Sequence, residues 1–354
     1  MLKDPYERLR EFLDQFPIGF PKTDSGVEIK ILKRLFTKEQ AEIATLLSPI
    51  PEEAAQIAVR TGRDEAELSE KLEHMADIGL VFRMRRKGKS LFNATPFMIG
   101  LYEYSVKRID KELAGLFKEY YDTGLLDEFS SVKVPGFKVI PVAQHLAVDM
   151  VLEPFHKLEG KIQEARKIAV TDCVCRKEAQ LLGHGCEHPM EACLSFGIAA
   201  EYYIDSGLGR EITADEALRI LKEADESGLV HAGANSKHLS NICNCCPCCC
   251  AGLKAVASKG HDKRSHFNAL YEAIIDEEDC TSCEACLERC PVEAIYVEET
   301  AITDRDKCLG CGLCASVCPS EAISLHLRPD REEPFDRVID MGMAILESKK
   351  KRAN

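Results

Sequence analysis

The sequence predicts an α+β chain of several domains: a mainly α N-terminal domain, a mixed helical, cysteine-rich middle and a small βαβ-type domain near the C-terminus. Three observations carry this. Residues 1–130 hold no cysteine and alternate short amphipathic runs with Pro and Gly breaks. Ten of the 18 cysteines fall in residues 131–262, without a regular period. The other eight fall in residues 268–328 as two copies of one spacing. A tail, residues 329–354, follows. At 354 residues the chain has room for two or three domains.

In the first domain, Ile31, Leu32, Leu35, Phe36, Ile43, Leu46 and Leu47 predict one helix over Lys30–Leu47. Pro49 and Pro51 end it and open a second, Glu52–Arg60. Thr61-Gly62-Arg63 turns the chain into a third helix, Asp64–Ile78, with Leu68, Leu72, Met75 and Ile78 on one face. Gly79 stops it, and Leu80-Val81-Phe82 and Ser90-Leu91-Phe92 read as two strands around Gly88. This order, helix, helix, turn, helix, hairpin, resembles the winged helix-turn-helix family over about 70 residues, most closely from PEEAAQ to LFNAT. That resemblance implies DNA contact through the third helix, and the charges oppose it. Asp64, Glu65, Glu67, Glu70, Glu73 and Asp77 stand against Lys71 alone, so phosphates are repelled. The hairpin is basic, with Arg83, Arg85, Arg86, Lys87 and Lys89. A docking module for an acidic protein surface is therefore the expected use, and sequence-specific DNA binding is not.

Later elements follow from the same signals. Helices are expected over Lys107–Tyr121, Ala143–Phe155 and Ala192–Ser206, and a strand over Lys167–Val170. Thr213-Ala-Asp-Glu216 reads as a capping box opening a helix that runs to Gly228. After Pro329 and Pro334 a last helix, Phe335–Lys350, ends in basic residues.

Cysteine usage depends on compartment. The start, MLKDPYERLREFLDQF, has no apolar core and no cleavage site, and no run of about eighteen apolar residues occurs. The expected location is a reducing cytoplasm, where clustered cysteines mean metal or redox chemistry and not disulfides. Net charge is −13, and Asp276–Asp330 carries thirteen acidic residues against four basic ones. Such a surface disfavours nucleic acid and suits a carrier that docks on basic partners.

The C-terminal repeat is the most specific signal. Cys280-x2-Cys283-x2-Cys286-x3-Cys290-Pro291 is answered by Cys308-x2-Cys311-x2-Cys314-x3-Cys318-Pro319, and CPVEAI by CPSEAI. Zinc at paired CxxC sites needs four ligands but not this duplicated run. The run resembles bacterial-type two-[4Fe–4S] ferredoxins. The resemblance implies two [4Fe–4S] clusters, electron transfer and crossed ligation: Cys280, Cys283, Cys286 and Cys318 on cluster one, Cys308, Cys311, Cys314 and Cys290 on cluster two. Three thiols then come from one tight loop, and each CysPro residue reaches the other cluster as proline turns the chain away.

The middle cysteines form no standard motif. Cys173, Cys175, Cys186 and Cys193 make one group, and Cys243, Cys245, Cys246, Cys248, Cys249 and Cys250 pack into NICNCCPCCC. Buried free cysteine accounts for one or two of them, not ten. Cys173 and Cys175 are expected on one face of an extended segment, with Arg176 opening a helix. Cys193 and Cys250 are expected at helix starts, where N–H groups favour thiolate. All ten are candidate ligands to at least one additional iron–sulfur cluster, with zinc sites and metal-free thiol chemistry as the other readings. His184, His188, His231 and His238 are nearby loop candidates. The combination resembles uncharacterised iron–sulfur proteins of anaerobes, which carry no assigned reaction. Three functions fit: an electron-carrying component of an anaerobic oxidoreductase, working with a redox partner protein; an iron–sulfur-sensing winged-helix regulator; or an oxidoreductase with a special cluster in the middle. No nucleotide loop, flavin fingerprint or acid–base constellation is present, so the carrier leads.

Overall fold

A computed structural model describes residues 3–141, 158–258 and 266–353. The chain divides into two compact units. The first comprises residues 1–129, 171–185 and 198–211, and the second residues 130–170, 186–197 and 212–354. The cysteine-rich stretch 131–262 contributes to both units. Two of its segments belong with the N-terminal residues, and the rest shares a unit with the cysteine repeat.

The first unit opens with α1 (Pro5–Leu13), capped by Asp4. The single helix expected over Lys30–Leu47 is two helices, α2 (Val27–Leu35) and α3 (Lys38–Ala44). Thr37 explains the break. Its side chain accepts from the Gln40 N–H while Gln40 returns a bond to the Thr37 backbone, a capping box that starts a new helix at that point. A two-residue strand β1 (Glu52–Glu53) precedes α4 (Ala54–Thr61). Helix α5 (Glu65–Asp77) begins on the Asp64 cap. Strands β2 (Phe82–Arg86) and β3 (Lys89–Asn93) form a hairpin through Lys87 and Gly88, both at positive φ, as tight two-residue turns require. The sheet order is β1-β3-β2. Helix α6 (Lys111–Tyr120) is shorter at its start than the expected Lys107–Tyr121, because Asp110 caps it. Phe20, Phe97, Phe117 and Tyr120 stack within this unit's core.

The basic hairpin differs from its sequence reading. Arg83 is buried and bonds to Glu73 at 2.6 Å and Asp77 at 2.7 Å, both on α5. Arg85 pairs with Asp205, and Lys89 with Glu53. Only Arg86 and Lys87, exposed at the tip, have no ion pair among the described residues. Of the acidic residues of α5, Glu73 and Asp77 are thus met by the hairpin, while Glu67 pairs with Lys71 on its own helix.

The second unit contains strands β4 (Phe137–Val139), β5 (Ile168–Asp172, entering the first unit at Thr171), β6 (Glu191–Phe196), β7 (Val230–Ala234), β8 (Asn241–Cys245) and β9 (Phe267–Asn268). They lie in the order β9-β4-β7-β8-β6-β5. The helix expected over Ala192–Ser206 is in fact strand β6 followed by a helix, Ile198–Asp205. Gly197, at φ +58, separates them, and β6 buries Ala192, Leu194 and Phe196 with period two. Helix α7 (Ala214–Glu226) starts on Thr213, whose hydroxyl accepts from the Glu216 N–H. Helix α8 (Ala251–Ser258) follows Cys250. The helix expected over Ala143–Phe155 lies outside the described residues.

The cysteine repeat folds on two small ribbons. Strand β10 (Tyr271–Ile275) pairs antiparallel with β13 (Ile323–Leu327), from Tyr271 opposite Leu327 to Ile275 opposite Ile323. Between them come helix α9 (Ala285–Arg289) and the ribbon β11 (Ile295–Val297) and β12 (Ala301–Thr303). The last helix, Val338–Ala353, starts three residues later than expected. The Phe335 backbone is held instead beside Ser236, its N–H on the Asn235 carbonyl. No helix among the described residues is long and apolar enough to cross a membrane.

Candidate metal centres

The repeat cysteines separate into two sets that each mix both halves. Cys280, Cys283, Cys286 and Cys318 line one recess, with Ser282, Ala301 and Ile323. Burial and then the thiols of Cys283, Cys280 and Cys318 push the Cys286 thiol up. In the second set, burial and then Cys311, Cys308 and Cys290 push Cys314 well up. Burial also pushes Cys311 up to about 12. Each CysPro residue thus neighbours the loop of the opposite half.

Backbone amides point at these sulfurs. The Ala294 N–H reaches Cys290 Sγ at 3.2 Å, and the Gly310 N–H reaches Cys308 Sγ at 3.4 Å. Amides of Ala301 and Ser282 hold the Cys280 thiol below its ordinary range. Cys286, Cys308 and Cys314 are buried in a core that includes Leu309, Leu313 and Leu325, with the other repeat cysteines nearer the surface, and four thiols met by N–H donors in each set fit an anionic iron–sulfur cluster.

Gly310 shows how tightly this frame is built. Its φ is +65, and a Cβ there would lie 2.1 Å from the Tyr271 carbonyl oxygen. Gly310→Ala must push the Cys308–Cys314 loop off β10. The left-handed backbone alone costs about 1–3 kcal/mol, and the clash adds to it. Gly62 has φ +68 with nothing within 4 Å of the same position, so Gly62→Ala carries the backbone cost alone. Thermal unfolding and iron content of both variants check this: Gly310→Ala is expected to lose stability and iron together, Gly62→Ala a little stability only.

The middle cysteines fall into three places. Cys173 and Cys175 lie in the first unit, where Cys173 is the N-cap of the helix Val174–Leu181 and Cys175 sits inside it. They therefore do not alternate on a strand, and Arg176 is a buried residue within that helix. Cys175 lies beside Tyr102, whose hydroxyl donates to Glu178 at 2.6 Å. Burial, with Cys175 next and then Glu178, drives the tyrosine hydroxyl far up.

Cys193, Cys243, Cys245 and Cys250 belong to the second unit. Cys193 is on strand β6 and not at a helix start, so no helix dipole acts on it. Leu194 pairs opposite Ile242, and continuing that register sets Cys193 opposite Cys243. Cys245 shares the Cys243 face of β8. The thiols of Cys243 and Cys250, together with burial, push Cys245 well up.

Cys186, Cys246, Cys248 and Cys249 make the third group, with all four Sγ atoms within 4.8 Å of one another. Burial is outweighed by the His188 backbone N–H and the thiols of Cys249, Cys248 and Cys246, which hold Cys186 below its ordinary range. His231 is a core residue, its Nδ1 2.5 Å from Asn244 Oδ1. Sequence reasoning named all of these cysteines but could not sort them. The sorting depends on β6 pairing with β8 and on a loop closure of 60 residues from Cys186 to Cys246.

Residues 273–325 match the family model of the 4Fe-4S dicluster domain. No curated protein and no solved structure matches the chain. The match covers the cysteine repeat, gives it an iron–sulfur cofactor and an electron-transfer role, and so implies a redox partner.

Proposed function

We propose that the chain is an iron–sulfur electron-transfer protein of the cytoplasm, the electron-carrying component of an anaerobic oxidoreductase system. The observation that carries this is the pair of mixed cysteine sets within the dicluster match. Cys280, Cys283, Cys286 and Cys318 are assigned to one [4Fe–4S] cluster, and Cys308, Cys311, Cys314 and Cys290 to the other. When bound, such clusters supply reversible one-electron storage. The protein's part is to hold four thiolates per site, donate N–H groups to the sulfurs and limit water with Leu309, Leu313 and Leu325. Each set uses all four cysteines as ligands, which suits a conduit more than a catalytic centre.

An additional cluster is assigned to Cys193, Cys243, Cys245 and Cys250. One strand-face trio and the residue preceding α8 supply its four thiols. Anaerobically prepared chain should then hold iron above the roughly eight atoms of the two-cluster module. Cys245→Ser should return it to about eight; iron unchanged by Cys245→Ser would remove this cluster.

The N-terminal residues 1–130 are read as a winged-helix-like docking module with flanking helices. Helix α5 keeps its acidic face, and the only unpaired hairpin cations among the described residues are Arg86 and Lys87. Reversing both charges should weaken the complex with an acidic partner, most visibly at low salt. A footprint on a defined operator that depends on cluster oxidation state would instead favour the iron–sulfur-sensing regulator.

A further inference from the structure

We infer that Cys186, Cys246, Cys248 and Cys249 hold a single zinc ion, in a closed structural site separate from the iron–sulfur centres. This goes beyond the electron-transfer reading and does not rest on it.

Geometry decides between one ion and a cubane. Cys186 Sγ lies 3.9 Å from Cys246 Sγ and 3.5 Å from Cys249 Sγ, and Cys249 Sγ lies 3.8 Å from Cys248 Sγ. Every pair in the group is within 4.8 Å. Four zinc–sulfur bonds of about 2.3 Å at tetrahedral angles set the sulfurs about 3.8 Å apart. Thiolates on a cubane radiate from its four iron corners instead of from one point, which spreads them to roughly 6 Å. The observed edges fit the ion and are too short for the cubane. The molecule supplies its own control: among the described residues no other group of three or more Cys, His, Asp or Glu is this compact, and the eight repeat cysteines do not form one.

The donor set points to zinc. Four thiolates in a tetrahedron select zinc or iron, and zinc binds such a site more tightly than ferrous iron does. Four protein ligands leave no open position, which marks a structural site. Its placement explains the need for one. Three ligands come from the turn Cys246-Pro-Cys-Cys249, closed by the Cys250 N–H on the Cys246 carbonyl, and the fourth from Cys186. Cys246 is buried against Ala224 and Leu229, with Cys186 and Cys249 packed alongside. That apolar cluster has only three buried residues, Ala224, Leu229 and Cys246, among the described residues. The same end of α7 meets the cysteine repeat: Arg289 donates to the carbonyls of Asp225 and Glu226, and Ser316 Oγ donates to the Asp225 carboxylate at 3.1 Å. An ion here would pin the loop of Cys186 and the Cys246–Cys249 turn to the helix end on which the repeat is seated.

The test is metal analysis of the full chain, produced anaerobically with both metals supplied, together with zinc-edge X-ray absorption. The expected result is about one zinc per chain, bound by four sulfurs at about 2.3 Å. Cys186→Ser should lose most of that zinc with iron unchanged. Should that variant not fold, Cys248→Ser, at an exposed position, should lower zinc retention against a chelator by at least tenfold. The wild-type spectrum is decisive by itself. No zinc in wild type, zinc without an all-sulfur shell, or a loss of iron from either variant would overturn the assignment.

Discussion

Cys318→Ser is expected to empty the recess of Cys280, Cys283 and Cys286, and to leave the site of its own loop loaded. Cys318 follows Cys314 in the chain, yet it lines the recess of the first loop. The reason lies in the backbone. Cys318 ends a short 3-10 turn, Ala315–Val317, in extended conformation, and Pro319 then turns the chain away. Cys290 ends α9 in the same extended conformation, and its thiol is raised by burial and, in lesser part, by the Cys308 thiol. Iron should fall by about four atoms per chain, one cluster's worth. Cys290→Ser should remove the other set. If Cys318→Ser instead emptied the site of Cys308, Cys311 and Cys314, crossed ligation would be wrong.

Arg83→Glu is expected to destabilise the first unit by more than about 3 kcal/mol, because it places an uncompensated carboxylate at a buried position facing two others. Arg83 is 4% exposed and bridges two carboxylates of α5, so the new carboxylate would face Glu73 and Asp77 without a cation. Arg86→Glu, on the exposed tip of the same hairpin, should change stability by less than about 0.5 kcal/mol. Denaturant unfolding of both variants checks the contrast. Equal effects would mean that Arg83 is as free as its neighbours.

The sequence exposed the parts whose signals are local. The doubled cysteine spacing marks the dicluster region, the Thr213 capping signal marks the start of α7, and Asp64 and Gly62 bound α4 and α5. It misled where a short competing signal outweighed a periodic one. Thr37 divides an otherwise continuous apolar stripe, and Gly197 separates a strand from a helix where Ala192–Ser206 reads as helix throughout. Long-range pairing was invisible. Nothing local says that Arg83 turns inward onto Glu73 and Asp77, or that Cys186 meets Cys246 while Cys193 faces Cys243. Those outcomes follow from sheet register and from which cation reaches the Glu73 and Asp77 carboxylates, and neither is written in neighbouring residues.

A reductive titration of the anaerobically loaded full chain, followed by low-temperature EPR, tests electron transfer most directly. The proposed crossed ligation would tie the two cysteine sets together through Cys290 and Cys318. The prediction is reversible uptake of one electron per cluster at low potential, with magnetic interaction between the two reduced centres. A chain that holds at least about eight irons yet takes up no electrons reversibly would contradict it.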